Sequence, residues 1–160
     1  MFDVQTTTIN VQCSAGENVF PIPFPQRGII SRIILVEVGS TPVGIAPVFD
    51  LYESERAANY SSSSGGNPTE DNEEHQVTFD PHAYKICPQM TGVVQAGKGL
   101  MEVFAENGGY SYYCRDYNKP AIGTGGPAGQ NKKKLYGKIT LPGAAAASSW
   151  NLTLQAVVKG

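Results

Sequence analysis

Residues 29–38 constrain the fold more strongly than any other segment. Seven of these ten residues are isoleucine, leucine or valine. β-branched side chains fit a pleated strand better than a helix. Because the apolar run is nearly continuous rather than alternating, it predicts a strand that is buried on both faces of a sandwich, or that lies at an interface.

Other segments alternate apolar and polar residues, as half-buried strands do. In residues 150–158, Trp150 and the even-numbered residues after it are predicted to face inward, with Asn151, Thr153 and Gln155 outward. The Asn107-Gly108 pair predicts a hairpin turn between its two flanking strands. The other predicted strands are residues 4–13, 47–53, 76–79, 83–87, 99–106, 109–115 and 134–141.

Glycine and proline occur throughout the chain. With 18 glycines and 11 prolines in 160 residues, they exceed their usual share of roughly 12%, which indicates many turns and many short strands. We count about eight strands and no convincing helix. The chain therefore predicts one all-β domain over residues 1–160, a jelly-roll-like β-sandwich. Long flexible loops are expected near residues 54–76 and 120–131.

Charge is sparse and nearly balanced. Charged residues make up 16% of the chain and the net charge is −2, whereas a typical domain has roughly 25% charged residues. Neutral polar surface of this kind is common where proteins pack together. The basic run at residues 132–134 lacks an accompanying aromatic pattern, so we expect a solvated loop and no nucleic-acid partner.

The cysteines and the apolar segments bear on location. Cys13, Cys87 and Cys114 are odd in number and have no metal-ligand spacing, which favours free thiols in a reducing cytoplasm. The first residues are polar, so no secretory signal is expected. No segment approaches the ~20 apolar residues of a membrane helix, so we expect no membrane partner.

Catalytic, metal and cofactor sites are not predicted. His75 and His82 lie near acidic residues, but their seven-residue spacing favours two surface histidines over a metal site. The sequence contains no GxSxG nucleophile motif. The glycine-rich residues 123–129 lack the GK[ST] ending and the following helix that a phosphate loop requires. We therefore expect a protein that is not an enzyme and that works by binding or assembly.

Two segments are candidate partner contacts. Phe20, Ile22 and Phe24 alternate with prolines, so the segment must run extended, as an edge strand or a polyproline helix. It could form a docking strip, although a loop covering the core is favoured. The second segment is a cluster of Tyr110, Tyr112, Tyr113 and Tyr117 with Arg115, residue types that are enriched at binding hot spots.

The tyrosine cluster has two interpretations: the rings pack in the core, or they lie at an interface with a partner. Tyr110 and Tyr112 share one strand face and could point into the core with their hydroxyls at its edge. Tyr113 lies on the opposite face, so at least one tyrosine should be exposed or at an interface.

The segment KLYGKITLPG at residues 134–143, followed by SWNLTL at residues 149–154, resembles the ending of small virion proteins of tailed phages. Residues 28–30 and 49–53 are similar to the same group, so the resemblance spans most of the chain. It implies a β-sandwich cement or decoration protein on a capsid, often a trimer at local threefold axes. Other proteins of this kind are adaptors or fibre-base proteins.

From this resemblance we expect a virion protein that assembles in the host cytoplasm and stabilises the shell by bridging major capsid protein subunits. The expected partners are the major capsid protein and other copies of this chain, as a homotrimer. The alternative is a carbohydrate-binding module of a tail fibre or receptor-binding protein, which would bind glycans on exposed tyrosines.

Overall fold

A computed structural model describes residues 2–24, 27–60, 80–105, 108–113, 134–143 and 146–159. Within these residues, ten strands form two antiparallel sheets. The strands are β1 (Phe2–Cys13), β2 (Gly16–Pro23), β3 (Arg27–Val38), β4 (Val48–Tyr52), β5 (Met90–Thr91), β6 (Val93–Gln95), β7 (Lys98–Phe104), β8 (Tyr110–Tyr113), β9 (Lys134–Leu141) and β10 (Ser148–Lys159). The helices are α1 (Glu55–Asn59) and a 3₁₀ helix (Pro81–Tyr84).

The two sheets pack against each other as a sandwich. Sheet A has the strand order β1-β10-β3-β7-β6, and β8 also pairs with β3. Sheet B has the order β2-β9-β4-β5. One core is formed by buried side chains from both sheets. The prediction of an all-β sandwich is confirmed, whereas the jelly-roll topology stays a prediction.

The alternation in β10 produces the predicted faces. Trp150, Leu152 and Leu154 are buried in the core, while Thr153 and the other odd-numbered residues are half-buried on the opposite face. β10 lies between β1 and β3, so both of its edges are paired. The two ends of the described chain therefore meet in one sheet, through the antiparallel pairing of β1 with β10.

β3 carries apolar residues on both faces, since Ile34 and Val36 are half-buried on the outer face, and it contains a bulge. Ile30 and Ile33 both point into the core, although strict alternation would put them on opposite faces. The pairing with β10 shifts here, because Ala156 pairs with Ile30 and Gln155 with Arg32. Residue 31 is thus the extra residue that reverses the inward face, as β-bulges do.

The predicted hairpin at Asn107-Gly108 is wrong. β7 and β8 do not pair with each other, because both pair with β3, one after the other along its length. Gly108 and Gly109 have positive φ values of 95° and 88°, and a Cβ atom on Gly109 would lie 2.6 Å from the Ile30 carbonyl oxygen. The glycines therefore lie where the strand paired with β3 is interrupted between β7 and β8, opposite the bulge of β3. The chain does not reverse direction there.

Two smaller predictions also differ from the structure. Residues 83–87 were expected to form a strand, but the 3₁₀ helix occupies Pro81–Tyr84 and only Lys85 forms an isolated bridge, with Tyr52. Asp80 caps this helix, since its side chain accepts a hydrogen bond from the His82 N–H. The expected loop at 54–76 begins with α1, which Ser54 caps in the same way. Residues 61–79 and 114–133, including the strand predicted at 76–79 and the whole loop expected near 120–131, lie outside the described residues.

Candidate functional site: the outer face of sheet A

The proline-rich segment lies in the core and not at the surface. Phe20 and Ile22 lie on β2, which pairs with β9, and their side chains are buried against the rest of the core together with Phe24. Pro21 and Pro23 alternate with them and are exposed. This corrects the proposed docking strip: Phe20, Ile22 and Phe24 are unavailable to a partner in the folded chain. The segment is the edge strand that its prolines allow.

The described tyrosines divide between the core and the surface. Tyr112 is buried, its ring 5.2 Å from that of Phe24, and Tyr110 is half-buried against the same core. Tyr112 is therefore also corrected from a predicted contact residue to a core residue. Tyr113 is exposed, as expected for the opposite strand face. Arg115 and Tyr117 lie outside the described residues.

The outer face of sheet A is the main apolar surface of the described chain. Among the described residues, six large hydrophobic side chains are exposed, and five of these lie on this face. They are Val4 on β1, Ile29 on β3, Val93 on β6, Phe104 on β7 and Tyr113 on β8. Antiparallel sheets with one solvated face usually alternate polar residues outward. Exposed apolar groups gathered on one face are typical of a surface that binds another molecule.

The register places apolar residues side by side on this face. Val36 on β3 pairs with Leu100 on β7, which pairs with Val93 on β6, so one row crosses three strands. Two rows away, Arg32 pairs with Phe104. The Arg32 guanidinium lies 4.7 Å from the centre of the Phe104 ring and 2.6 Å from a Glu102 carboxylate oxygen. Arg32 is thereby held beside an aromatic ring that is 61% exposed.

A ladder of neutral polar side chains covers the β1 and β10 part of the same face. The Thr8 and Thr153 hydroxyls lie 3.0 Å apart across the two strands. The Asn10 side-chain amide donates to the Ser149 hydroxyl and to the Asn151 side-chain oxygen, both at 2.9 Å. These mutual bonds order the side chains without any charge. A partner can cover such a surface without the cost of desolvating an ion.

Part of the outer face of sheet B, by contrast, is covered by the chain itself. Ala57 and Ala58 of α1 pack on Tyr52 and Tyr136, and all four side chains are buried. This second cluster explains why Tyr136 and its neighbours on β9 are buried although alternation points them away from the core. Sheet B is thus covered around Tyr52 and Tyr136, whereas the outer face of sheet A keeps most of the exposed large apolar side chains of the described residues.

Charged residues under this cover are paired. Asp50 accepts a hydrogen bond of 2.9 Å from Gln89, and the Lys85 ammonium lies 2.9 Å from its other oxygen. Lys138, opposite Asp50 in the register, lies 3.9 Å from Glu17 and 5.4 Å from the Tyr52 ring centre. Burial, then the charges of Asp50 and Glu17, raise the pKa of Tyr52 to about 12.

Because the Cys87 thiol is buried, we expect the protein to lose stability at alkaline pH. Burial, and secondarily Asp50, raise the pKa of Cys87 from 9.0 to about 12, against a smaller lowering by Lys85. Since the unfolded thiol ionises near 9, the stabilisation is present below that pH and is lost as pH rises toward 12. We expect the free energy of unfolding, measured with urea, to fall between about pH 8 and about pH 10.5. This fall should be smaller in Cys87→Ala than in the unchanged protein, by up to about 2 kcal/mol. Equal losses in the two proteins would contradict the assignment.

The described residues contain no cluster of three or more His, Cys, Asp or Glu side chains that could hold a metal ion. His82 is exposed, and His75 lies outside the described residues. No helix in the described part of the chain is long and apolar enough to cross a membrane.

Sequence reasoning missed most of the outer face. The available signals were Val93-Val94 and the outward position of Phe104 in an alternating strand, but alternation alone does not say which face stays uncovered. The contacts of the chain's own residues carry the functional argument. No protein-family model matches the chain, and no curated protein sequence matches it.

Proposed function

We propose that this chain is a structural protein of a virion, which cements a capsid by bridging major capsid protein subunits through the outer face of sheet A. The observation that carries the proposal is the concentration of exposed apolar side chains on that face, beside an uncharged polar ladder. An exposed sheet face of this kind suits packing against another protein surface better than it suits enclosing a small molecule, which needs a concave pocket.

The strand order supports a jelly roll, a fold that is common in viral capsid proteins and lectins. With the short β6 and β8 set aside, sheet A has the order β1-β10-β3-β7 and sheet B the order β2-β9-β4-β5. The chain therefore alternates between the sheets at most connections, with four strands in each. This order agrees with the phage resemblance of residues 134–143 and 149–154, which lie on β9 and β10 and the loop between them.

The glycan-binding alternative has weaker support. It requires a platform of exposed tyrosine rings, but Tyr112 is buried and Tyr110 is half-buried. Tyr113 remains as the exposed ring on the described part of β8. The homotrimer is a prediction of the resemblance, and the described residues contain no feature that favours order three over another order.

Two adjacent valines provide a matched test of the face. Val93 is 58% exposed and belongs to the apolar row, whereas Val94 is 46% exposed and points to the other side of β6. We expect Val93→Asp to weaken association with shells assembled from the major capsid protein alone by tenfold or more, because the carboxylate would lose its water at the contact. Co-sedimentation over a concentration series measures this change.

Val94→Asp is the control, since it adds the same charge to the same short strand on the side away from the proposed contact. We expect it to bind shells as the unchanged protein does. Equal weakening by both variants would indicate that charge on β6, and not the outer face, controls binding. No co-sedimentation of the unchanged protein with shells would refute the capsid proposal, and a glycan array would then test the alternative.

A further inference from the structure

The sheet edges of this protein are protected to very different degrees. Unpaired strand edges tend to recruit other chains, and proteins blunt them with prolines or by keeping edge strands short. β2 carries Pro21 and Pro23, β5 has two residues and β6 has three. β1 also lies at an edge, yet it has twelve residues and no proline. No described strand pairs with its outer side.

The direction of the peptide groups of β1 follows from two side-chain hydrogen bonds on β10. The Ser31 hydroxyl donates to the Gln155 carbonyl at 3.2 Å, so that carbonyl faces β3. The Asn10 amide donates to the Trp150 carbonyl at 3.3 Å, so that carbonyl faces β1. Peptide groups alternate in direction along an antiparallel strand, and hence the even-numbered residues of β10 bond to β1.

In the register, those even-numbered residues are opposite odd-numbered residues of β1, such as Thr7 opposite Leu154 and Ile9 opposite Leu152. The even-numbered residues of β1 therefore direct their N–H and C=O groups to the free edge. They are Phe2, Val4, Thr6, Thr8, Asn10 and Gln12. From Val4 onward their side chains lie on the outer face of sheet A, so the free edge borders the candidate site directly.

We infer that a second copy of this chain pairs with β1 in antiparallel fashion about a two-fold axis at Thr7. In this register Thr6 opposes Thr8, Val4 opposes Asn10 and Phe2 opposes Gln12. All six outward-directed residues are then paired, and two hydrogen bonds for each such pair give about twelve. A register centred on Thr8 would leave Phe2 without a partner in β1.

The chemistry of β1 fits a second copy of itself. Residues 4–13 carry no charge, so the self-contact places no like charges opposite each other. Asp3 would oppose Val11, and the two Asp3 residues would lie about 26 Å apart at a rise of ~3.3 Å per residue. Hydroxyl side chains would meet across the strands, which is favourable. The half-buried Ile9 would gain cover on the core side.

Two-fold pairing also closes the assembly, because each copy uses its open edge once and joins two six-stranded sheets into one. The inference does not depend on the capsid proposal. It predicts a dimer of the free chain, whereas the phage resemblance predicts a trimer, so mass in solution separates the two.

The test uses charge beside the two-fold axis. We expect the unchanged protein to be a dimer by light scattering. Both Thr8→Lys and Thr8→Glu should shift it to a monomer at the same concentration, because the two Thr8 side chains would be diagonal neighbours across the axis and like charges there repel. An equimolar mixture of the two variants should restore the dimer. Thr8→Pro, which removes an outward N–H but no bond to β10, should also give a monomer.

Thr153→Lys is the matched control. Thr153 is the neighbour of Thr8 on the same face but lies one strand away from the edge, so this variant should remain a dimer. Circular dichroism checks that each variant is folded. An unchanged protein that is monomeric or trimeric, or a dimer that persists in both charge variants, would overturn the inference, as would a mixture that stays monomeric.

Discussion

Replacing Glu37 by alanine is expected to lower the free energy of unfolding by about 3–5 kcal/mol. Glu37 is fully buried on β3, and its carboxylate accepts hydrogen bonds from three backbone N–H groups. These belong to Val43 and Gly44 in the β3–β4 connection and to Gly99 at the start of β7. Alanine would leave the buried Gly99 donor and the two part-buried donors without their acceptor, and each such loss is costly.

The measurement is urea unfolding followed by the fluorescence of Trp150, the sole tryptophan of the chain. Glu37→Gln keeps one acceptor oxygen and should lose less stability than Glu37→Ala. Glu102→Ala removes an exposed carboxylate on the outer face of sheet A, and we expect it to cost less than about 1 kcal/mol. A loss in Glu37→Ala no larger than in Glu102→Ala would contradict the anchoring role of Glu37.

Replacing Trp150 by alanine is expected to lower the free energy of unfolding by a similar amount, about 3–5 kcal/mol. The indole is fully buried on β10 beside Glu37 in the register, and its N–H donates to the Ser148 hydroxyl at 2.8 Å. Its far edge fills the space next to Gly99, where an added Cβ atom would lie 2.4 Å from the ring. Alanine would leave a cavity that rigid strands on both sides cannot fill.

Thermal unfolding followed by circular dichroism measures this loss without relying on the removed fluorophore. Trp150→Phe keeps most of the ring volume and should cost about half as much or less. Asn151→Ala, the next residue along β10 and on the outer face, should change stability by less than about 1 kcal/mol. If Trp150→Ala were no more damaging than Asn151→Ala, the indole would not be a main element of the core.

The candidate site shows where sequence patterns stop being informative. The alternation in residues 109–115 correctly separated Tyr113 from Tyr110 and Tyr112, because neighbouring side chains of a strand point to opposite faces. It could not decide which of the two faces was the core. The same ambiguity made Phe20, Ile22 and Phe24 candidate contacts, until the pairing of β2 with β9 directed them inward.

The hairpin predicted at Asn107-Gly108 failed for a related reason. A turn signal describes only the local backbone. β7 and β8 each pair with β3, whose paired residues lie between 64 (Val36 with Leu100) and 86 (Arg27 with Tyr113) positions earlier in the chain. The bulge at residue 31 in β3 and the interruption between β7 and β8 lie opposite each other. Neither feature could be recognised from its own segment alone.

By itself, the sequence determined the all-β class, the main strands and the alternation of faces within them, since these follow from side-chain shape and a period of two. Only the tertiary structure decided that Glu37 anchors two distant segments, that α1 covers part of sheet B and that sheet A and the β1 edge stay open within the described chain. These features depend on which strands become neighbours. That choice is made by contacts between residues far apart in the chain, which local patterns do not encode.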